Sequence, residues 1–249
     1  MAQSKMYGEL ARYWPLISPA GNYVKESAIW RDVLRHKLGP GRHSILELGV
    51  GGGCNLSHLT SEFDAVAADI SPQMVEQARK LNPGVEFHVG DMRTIRLGRT
   101  FKAVLIHDAI SCMLTEDELR AAFATAAAHL EPGGVFLTSP DWVRESFEGP
   151  ITDCATHRDA ATTFTYMGYI YDPDPADTTV KVLYRYFIRE GGELRIEDDE
   201  HVLGLFPTQT WLRLLRVAGF GPESLPYDVE GGHGAPLFLG VLGSPAGRR

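Results

Sequence analysis

Cysteine is scarce in this chain, with three among 249 residues. Cys54, Cys112 and Cys154 are widely spaced and form no C-x-x-C pair, which argues against a disulfide framework or a zinc knuckle and suits a reducing cytoplasm. No apolar run approaches about 18 residues, so we expect no membrane-spanning helix. The first residues also lack a basic stretch followed by an apolar one, so no signal peptide is expected.

Positive charge is also limited, because 24 Lys and Arg face 32 Asp and Glu and give a formal net charge of −8. Nucleic-acid binding proteins usually carry a basic face, and none is evident here. The histidines show no metal-ligand spacing, so no metal is expected. Glycine, in contrast, is abundant at 26 residues, above the usual level of about 7%. The sequence therefore predicts a cytoplasmic protein without a nucleic-acid partner, and its glycines need an explanation.

Strand-like and helix-like patterns alternate through the first half of the chain. Five apolar strands are predicted at 44–48, 65–69, 85–89, 103–107 and 135–138. Helices are predicted at 23–38, 54–62, 71–81 and 115–130, and Gly133-Gly134 is expected to end the last of them. This alternation predicts an α/β fold with a Rossmann-like, doubly wound sheet of mostly parallel strands.

The pattern changes after Pro140. Segments rich in Thr, Tyr, Val and Ile predict antiparallel strands at 163–170, 179–189 and 193–205, followed by a helix at 208–218 and a strand pair at 223–228 and 236–242. We interpret 1–249 as one domain with four parts. These are a helical N-terminal arm (1–43), a ligand-binding core (44–149), an antiparallel β insertion (150–206) and a last helix with a strand pair (207–243).

The strongest local signal is the loop ELGVGGG, Glu47–Gly53, which follows a strand and precedes a helix. Nucleotide-like ligands bind at such strand ends, where glycine permits a tight turn and a close backbone approach. The dinucleotide spacing G-x-G-x-x-G does not fit, because Cys54 and Leu56 occupy the required positions. The spacing that fits is G-x-G-x-G, through Gly49, Gly51 and Gly53. The carboxylate of Glu47 disfavours a pyrophosphate and favours a ligand with an ammonium and a sulfonium.

Carboxylates also follow the next two strands. Asp69 ends the second strand, where it could accept hydrogen bonds from both ribose hydroxyls or could instead cap the following helix. Asp91 and Met92 follow the third strand. Asp91 could accept from an adenine amino group while Met92 packs on the ring, or the pair could be a turn residue beside a buried methionine.

These residues carry a family resemblance. The loop 47–53, Asp69, Gly90-Asp91-Met92 and Leu130–Gly134 resemble, in order and spacing, class I S-adenosylmethionine-dependent methyltransferases over about residues 44–140. Gly90–Phe101 and His201–Phe206 are similar to actinobacterial N,N-dimethyltransferases that act on nucleotide-linked amino sugars. The sequence departs from those enzymes at the His107-Asp108 pair and in the insertion.

The resemblance implies a sheet of seven strands with one antiparallel. It also implies that S-adenosylmethionine lies with its amino-acid end over Gly49–Gly53, its ribose on Asp69 and its adenine between Ile70 and Met92, with the amino group on Asp91. The N-terminal arm would fold over this cofactor, and the insertion would form a lid over the acceptor.

Candidate catalytic residues follow the fourth strand. His107 could act as a base oriented by Asp108, or could line the adenine pocket through its backbone. Asp108 could hold an acceptor ammonium or satisfy the loop backbone. The resemblance implies that Tyr13 lies near the methyl donor. The candidate acceptor contacts, each of which could instead be ordinary packing, are Tyr13, Trp14, Tyr23, Asp141, Trp142 and His201.

We therefore expect a methyltransferase that acts on the amine or hydroxyl of a sugar or secondary metabolite, by in-line transfer that needs mainly alignment. One alternative is a Rossmann oxidoreductase that uses a nicotinamide cofactor. Another is a non-catalytic protein that binds the cofactor to gate a partner. A homodimer is compatible with the sequence.

Overall fold

A computed structural model describes residues 4–229 and 233–243. The helices are Trp14–Ile17 (α1), Val24–Leu38 (α2), Cys54–Ser57 (α3), Pro72–Leu81 (α4), Glu116–Ala128 (α5) and Thr208–Val217 (α6), with 3-10 turns at Ala11–Tyr13, Ala20–Tyr23 and Asp108–Cys112. The first five strands are His43–Leu48 (β1), Phe63–Asp69 (β2), Glu86–Val89 (β3), Phe101–Ile106 (β4) and Leu130–Thr138 (β5). The others are Ile151–Arg158 (β6), Thr162–Tyr171 (β7), Thr179–Glu190 (β8), Glu193–Gly204 (β9), Phe220–Leu225 (β10) and Leu237–Leu242 (β11).

The main sheet has seven strands in the order β10-β11-β5-β4-β1-β2-β3. Strands β1 to β5 pair in parallel, and β11 runs antiparallel to its neighbours β5 and β10. The expected fold class is therefore confirmed, including the one antiparallel strand. Apolar side chains alternate between the two faces, so Leu46 packs on the side of α5 and α6 and Ile45 on the side of α2 and α4.

Predicted helix starts are confirmed at two caps. The Ser71 hydroxyl accepts from the Met74 N–H at the start of α4, and Thr115 does the same for Glu118 at α5. The predicted helix 54–62 is wrong after residue 57, since α3 ends there. Hydroxyls of Ser57 and Thr60 donate to backbone carbonyls in this segment and compete with helical bonding.

The helix end predicted at Gly133-Gly134 is also wrong. Helix α5 ends at Ala128, and both glycines lie inside β5. Gly133 adopts a φ of 80° there, and the pairing of β5 with β4 shifts register between Phe101 and Ala103. The glycines therefore mark an irregularity in a strand rather than the end of a helix.

A second sheet has four antiparallel strands in the order β6-β7-β8-β9. Three were expected, and the strand that the sequence pattern misses is β6. Its residues are exposed or half-buried and none is fully buried, because β6 lies at the edge of the sheet and covers little core. The inner face of this sheet packs through Phe164, Tyr186 and Ile188 on Met6 and Leu10 of the N-terminal arm. Within the described ranges, no helix is long and apolar enough to cross a membrane.

Candidate active site

The glycine loop follows β1 at the carboxyl edge of the main sheet. Gly49, Gly51 and Gly53 have φ values of 71°, 53° and 76°, which favour glycine. A Cβ on Gly49 would lie 2.5 Å from the Ala109 Cβ and 2.8 Å from the Met92 Cε. The loop therefore needs glycine both for its backbone angles and for its close packing.

Asp69 stabilises this loop from the end of β2. Its carboxylate is buried and accepts hydrogen bonds of 2.8 Å from the backbone N–H groups of Gly51 and Ser71. Burial raises the pKa of Asp69, and these two bonds counteract the rise. Ser71 caps the following helix, so the helix-cap alternative is wrong for Asp69, and its remaining lone pairs are available to ribose hydroxyls.

Glu47 presents an unpaired carboxylate oxygen in the interior. It is 2% exposed, and its Oε2 has no hydrogen-bond partner among residues 4–229 and 233–243. Burial raises the pKa of Glu47 to about 7. The amide nitrogen of nearby Asn55 is also buried and lacks a partner in the described part of the chain. The Asn55 side chain faces the Glu47 carboxylate closely enough to lower its pKa in part. The unpaired Oε2 of Glu47 fits a ligand that carries an ammonium, as an amino-acid end does.

The residues expected at the adenine end lie after β2 and β3. Ile70 is 61% exposed, and Met92 packs on the edge of the core. Asp91 is already bound to Arg93, whose backbone N–H donates at 2.8 Å and whose Nη2 donates at 2.6 Å. Arg93 also pairs with Glu118. An adenine amino group would therefore share the Asp91 carboxylate with Arg93.

His107 lies between two carboxylates at the end of β4. Its Nε2 is 2.9 Å from Glu26 Oε1, and its Nδ1 is 3.3 Å from Asp108 Oδ1. The ring is buried beside Trp30 and Tyr23. Burial lowers the pKa of His107, but the carboxylates of Asp108 and Glu26 outweigh it and hold the pKa well above its usual value.

A cavity of about 180 Å³ opens beside this pair. It is lined by Tyr23, Glu26, His107, Asp108, Ser139, Pro140, Asp141, Tyr227, Val229, His233 and Ala235. Burial and the neighbouring carboxylate of Asp108 raise the pKa of Asp141. Burial also raises the pKa of Asp108, but His107 outweighs it and leaves the pKa lowered. None of these lining residues of the described chain is Lys or Arg, so the cavity is acidic.

The structure brings some of the predicted acceptor contacts to this cavity and places others elsewhere. Tyr23 and Asp141 line it. Trp142 is buried with Ile170 and Val182 of the second sheet, and it stacks on His233. His201 holds the N-terminal arm, since its Nε2 lies 2.6 Å from the Ser4 Oγ and 3.1 Å from Asp199.

Two aromatic residues of the arm occupy different surroundings. The hydroxyl of Tyr13 donates to Glu190 at 3.0 Å, in the apolar cluster under the second sheet. The structure therefore does not bring Tyr13 to the His107 cavity. Trp14 lies against the glycine loop, because a Cβ on Gly52 would be 2.3 Å from its Cδ1.

Sequence reasoning missed Tyr7, Glu26 and Tyr227. Tyr7 contacts the rings of Trp14 and His201, and burial together with Cys112, Asp108 and Asp141 raises its pKa. Glu26 and Tyr227 are joined by a hydrogen bond across 201 positions. No local pattern marks these residues, since their roles arise only from the folded arrangement.

Comparison with known proteins gives the family. A methyltransferase-domain model matches residues 45–134. A dTDP-3-amino-3,4,6-trideoxy-alpha-D-glucopyranose N,N-dimethyltransferase from Streptomyces venezuelae is 33% identical over 225 residues, which cover 88% of this chain and 91% of the relative. This chain belongs to the class I S-adenosylmethionine-dependent methyltransferases. The enzyme therefore uses S-adenosylmethionine and acts on a small molecule, and the oxidoreductase and non-catalytic alternatives are not supported.

Solved structures agree with this family. DesVI from Streptomyces venezuelae has a TM-score of 0.83 at 30% identity, over 94% of this chain and 98% of that one. CalS10, an amino pentose methyltransferase from Micromonospora echinaspora with S-adenosylmethionine bound, has a TM-score of 0.76 at 27% identity, over 88% and 91% of the two chains. The unpaired Oε2 of Glu47 and the tight glycine loop fit the same cofactor here.

Proposed function

We propose that this methyltransferase acts on the amino group of a sugar carried by a nucleoside diphosphate. The observation that carries the proposal is the acidic cavity, whose lining sets three carboxylates, those of Glu26, Asp108 and Asp141, against two imidazoles, those of His107 and His233. Even with both imidazoles protonated, the cavity keeps an excess of negative charge. A ligand with an ammonium compensates this charge, whereas a neutral hydroxyl does not.

The names of the relatives support the sugar part of the proposal. The Streptomyces venezuelae relative acts on a dTDP-linked amino sugar, and CalS10 is an amino pentose methyltransferase. The cavity of about 180 Å³ has room for the amino end of such a substrate. Its described lining holds no Lys or Arg for a diphosphate, and the ring of His107 is already paired with Glu26 and Asp108, so the nucleotide part would extend away from the cavity.

When bound, S-adenosylmethionine supplies a methyl carbon made electrophilic by a positive sulfur. Glu47 and the loop of Gly49, Gly51 and Gly53 would hold its amino-acid end. Asp69 would hold the ribose, and the adenine end would lie among Ile70, Asp91 and Met92. These residues follow strands of the main sheet at its carboxyl edge, beside the cavity in which we place the amino group of the acceptor.

On the acceptor side, Asp108 and Asp141 would bind the amino group and orient it toward the cofactor edge. Tyr23 closes one wall of the cavity, and its hydroxyl bonds to Ser18 at 2.8 Å. The main contribution of these residues is to align the reacting atoms. Such alignment can lower the free-energy barrier of a displacement by about 7 kcal/mol or more.

The proposal is tested with purified enzyme, S-adenosylmethionine and pairs of dTDP-sugars that differ only by an amino group or a hydroxyl at one carbon. We expect mass spectrometry to show one and then two methyl groups added to the amino sugar, and none to the hydroxyl partner. Methylation of the hydroxyl sugar with the amino sugar untouched would overturn the proposal.

A further inference from the structure

The two ring nitrogens of His107 both face carboxylates. Glu26 Oε1 lies 2.9 Å from Nε2, and Asp108 Oδ1 lies 3.3 Å from Nδ1. A neutral imidazole has one donor and one acceptor nitrogen. In one of these two contacts, the lone pair of the acceptor nitrogen would therefore face a carboxylate oxygen and be repelled by it. Protonation of the ring makes both contacts favourable. His107 is therefore a fixed cation, and it has no free nitrogen with which to accept a proton.

Glu26 is itself held by a chain of hydrogen bonds. The Tyr227 hydroxyl donates to Glu26 Oε1 at 2.5 Å, and the Trp30 Nε1 donates to the Tyr227 hydroxyl at 2.7 Å. Trp30 lies one turn after Glu26 on α2 and is fully buried. Burial raises the pKa of Glu26, but its bonds to His107 and Tyr227 outweigh this and leave it lowered. The carboxylate beside His107 is thus fixed in both position and charge.

Asp141 is a carboxylate of this cavity whose side chain bonds to a hydroxyl, that of Ser111, rather than to a cation. It forms no ion pair within the part of the chain that the structure describes, whereas Asp108 pairs with His107. It sits at the end of β5, where its backbone N–H donates to the Ser111 hydroxyl at 2.9 Å. Its carboxylate can therefore change its protonation state without breaking an ion pair.

We infer that Asp141 accepts the proton of the acceptor ammonium, while His107, positioned by Glu26, stays a fixed cation. This inference rests on the amine acceptor proposed above. In the step, one N–H bond breaks, its electron pair stays on nitrogen, and an O–H bond forms on Asp141. The ammonium becomes a neutral amine and the carboxylate becomes a carboxylic acid. The freed lone pair is what an attack on a methyl carbon requires.

The charges around both groups favour this direction of transfer. The titratable groups that face His107 are Glu26, Asp108, Glu47, Asp141, Tyr23 and Tyr227. Those that face Asp141 are Asp108, Glu26, His107, Tyr7, Cys112, Tyr184 and His233. Burial and Asp108 raise the pKa of Asp141 toward neutrality. A carboxylate in that range both accepts a proton and releases it again near neutral pH.

The first test follows the protonation of His107 by NMR, in enzyme labelled at histidine and without any turnover. We expect the His107 ring in the wild type to stay protonated from about pH 5 to pH 8. In Glu26→Gln the ring should titrate within that range, because one of its two carboxylates is lost. Asp32 is exposed on the same helix, so Asp32→Asn is the matched control and should leave the His107 signal unchanged. A wild-type ring that titrates near its ordinary pKa would overturn the inference.

The second test measures single-turnover methylation of the amino sugar against pH. We expect Asp141→Asn to be slower by about 100-fold or more at pH 7, with a rate that rises as the pH increases and the amine arrives neutral. Binding of S-adenosylhomocysteine checks that the variant is folded. An active wild type with an unchanged pH profile in Asp141→Asn overturns the inference alone. A wild type that methylates no amine overturns the proposed function as well.

Discussion

The indole of Trp14 and the backbone of Gly52 are in direct contact, so that a Cβ on Gly52 would stand 2.3 Å from the indole Cδ1. This contact fastens the N-terminal arm to the glycine loop, which we propose holds the cofactor. We expect Gly52→Ala to push the indole away, at a cost of about 1–3 kcal/mol. Affinity for S-adenosylhomocysteine should fall, and the tryptophan fluorescence should change.

Gly84→Ala is the matched control for this variant, because nothing lies within 4 Å of a Cβ at Gly84. The double variant Gly52→Ala with Trp14→Ala should remove the clash. Its loss of affinity for S-adenosylhomocysteine should be smaller than the sum of the losses in the two single variants. Strictly additive losses would show that the two residues are not coupled.

Asp69→Ala should weaken cofactor binding by about 1.5–3 kcal/mol, which is at least tenfold in affinity. The variant loses the expected ribose contacts and also the bonds that Asp69 accepts from Gly51 and Ser71. Calorimetry with S-adenosylhomocysteine measures the change. Asp64→Ala is the control, since this carboxylate lies on the same strand but is exposed and pairs with Arg42. Equal affinity in Asp69→Ala and wild type would place the ribose elsewhere.

Glu47 should make the stability of the unliganded enzyme depend on pH. Burial raises its pKa to about 7 in the folded state, whereas it is about 4.3 in an unfolded chain. Because the pKa is raised in the folded state, the stability that Glu47 contributes is fully present below about pH 4.3 and is lost as the pH rises through about 7. The free energy of unfolding of the wild type should therefore fall by about 2–4 kcal/mol between pH 5 and pH 8, and this fall should be absent in Glu47→Gln.

Urea unfolding at several pH values measures this effect. Glu131→Gln, at a carboxylate that pairs with Lys102 near the start of β5, is the control and should follow the wild type. If the curves of wild type and Glu47→Gln run parallel across this pH range, the carboxylate is not the group responsible.

Asp199 fastens the N-terminal arm to β9. Its carboxylate accepts from the Ser4 hydroxyl at 2.8 Å and the Met6 N–H at 3.1 Å. Burial raises its pKa, but bonds from His201 and Ser4 outweigh this and lower it to about 2. Its contribution is therefore present above about pH 3.9 and is lost as the pH falls toward about 2.

We expect Asp199→Ala to lower the free energy of local opening of residues 4–17 by about 1–3 kcal/mol. This change is measured as faster hydrogen exchange in that segment near neutral pH. Asp198→Ala is the control, because Asp198 lies on the opposite face of β9 and pairs with Arg185 in solvent. Equal exchange in the two variants would contradict the role of Asp199.

The sequence alone predicts where the glycine loop and Asp69 lie in the fold, because their signals are local. The glycines of residues 49–53, Asp69 and the cap at Ser71 each follow a predicted strand within a few positions, so their placement at the carboxyl edge follows from the fold class. Helix propensity failed after Ser57, where hydroxyl side chains bond the backbone. Strand patterning failed for β6, which has no buried face to mark it.

The acceptor half depends on contacts between distant segments. Glu26 reads as an ordinary polar residue of a helix, and its role appears only where Tyr227 and His107 meet it. The arm gives a similar case. Tyr13 and Tyr7 are both aromatic residues of one segment, and only the turns at residues 11–17 decide that Tyr13 faces Glu190 while Tyr7 faces His201.

The bond between Ser4 and Asp199 joins residues 195 positions apart. Residues 4–17 are synthesised long before β9, so for most of translation their apolar side chains have no partner to cover them. Contacts of such sequence separation form late in folding, after the local ones. The segment that fastens to the glycine loop therefore cannot reach its final contacts before β9 has been made.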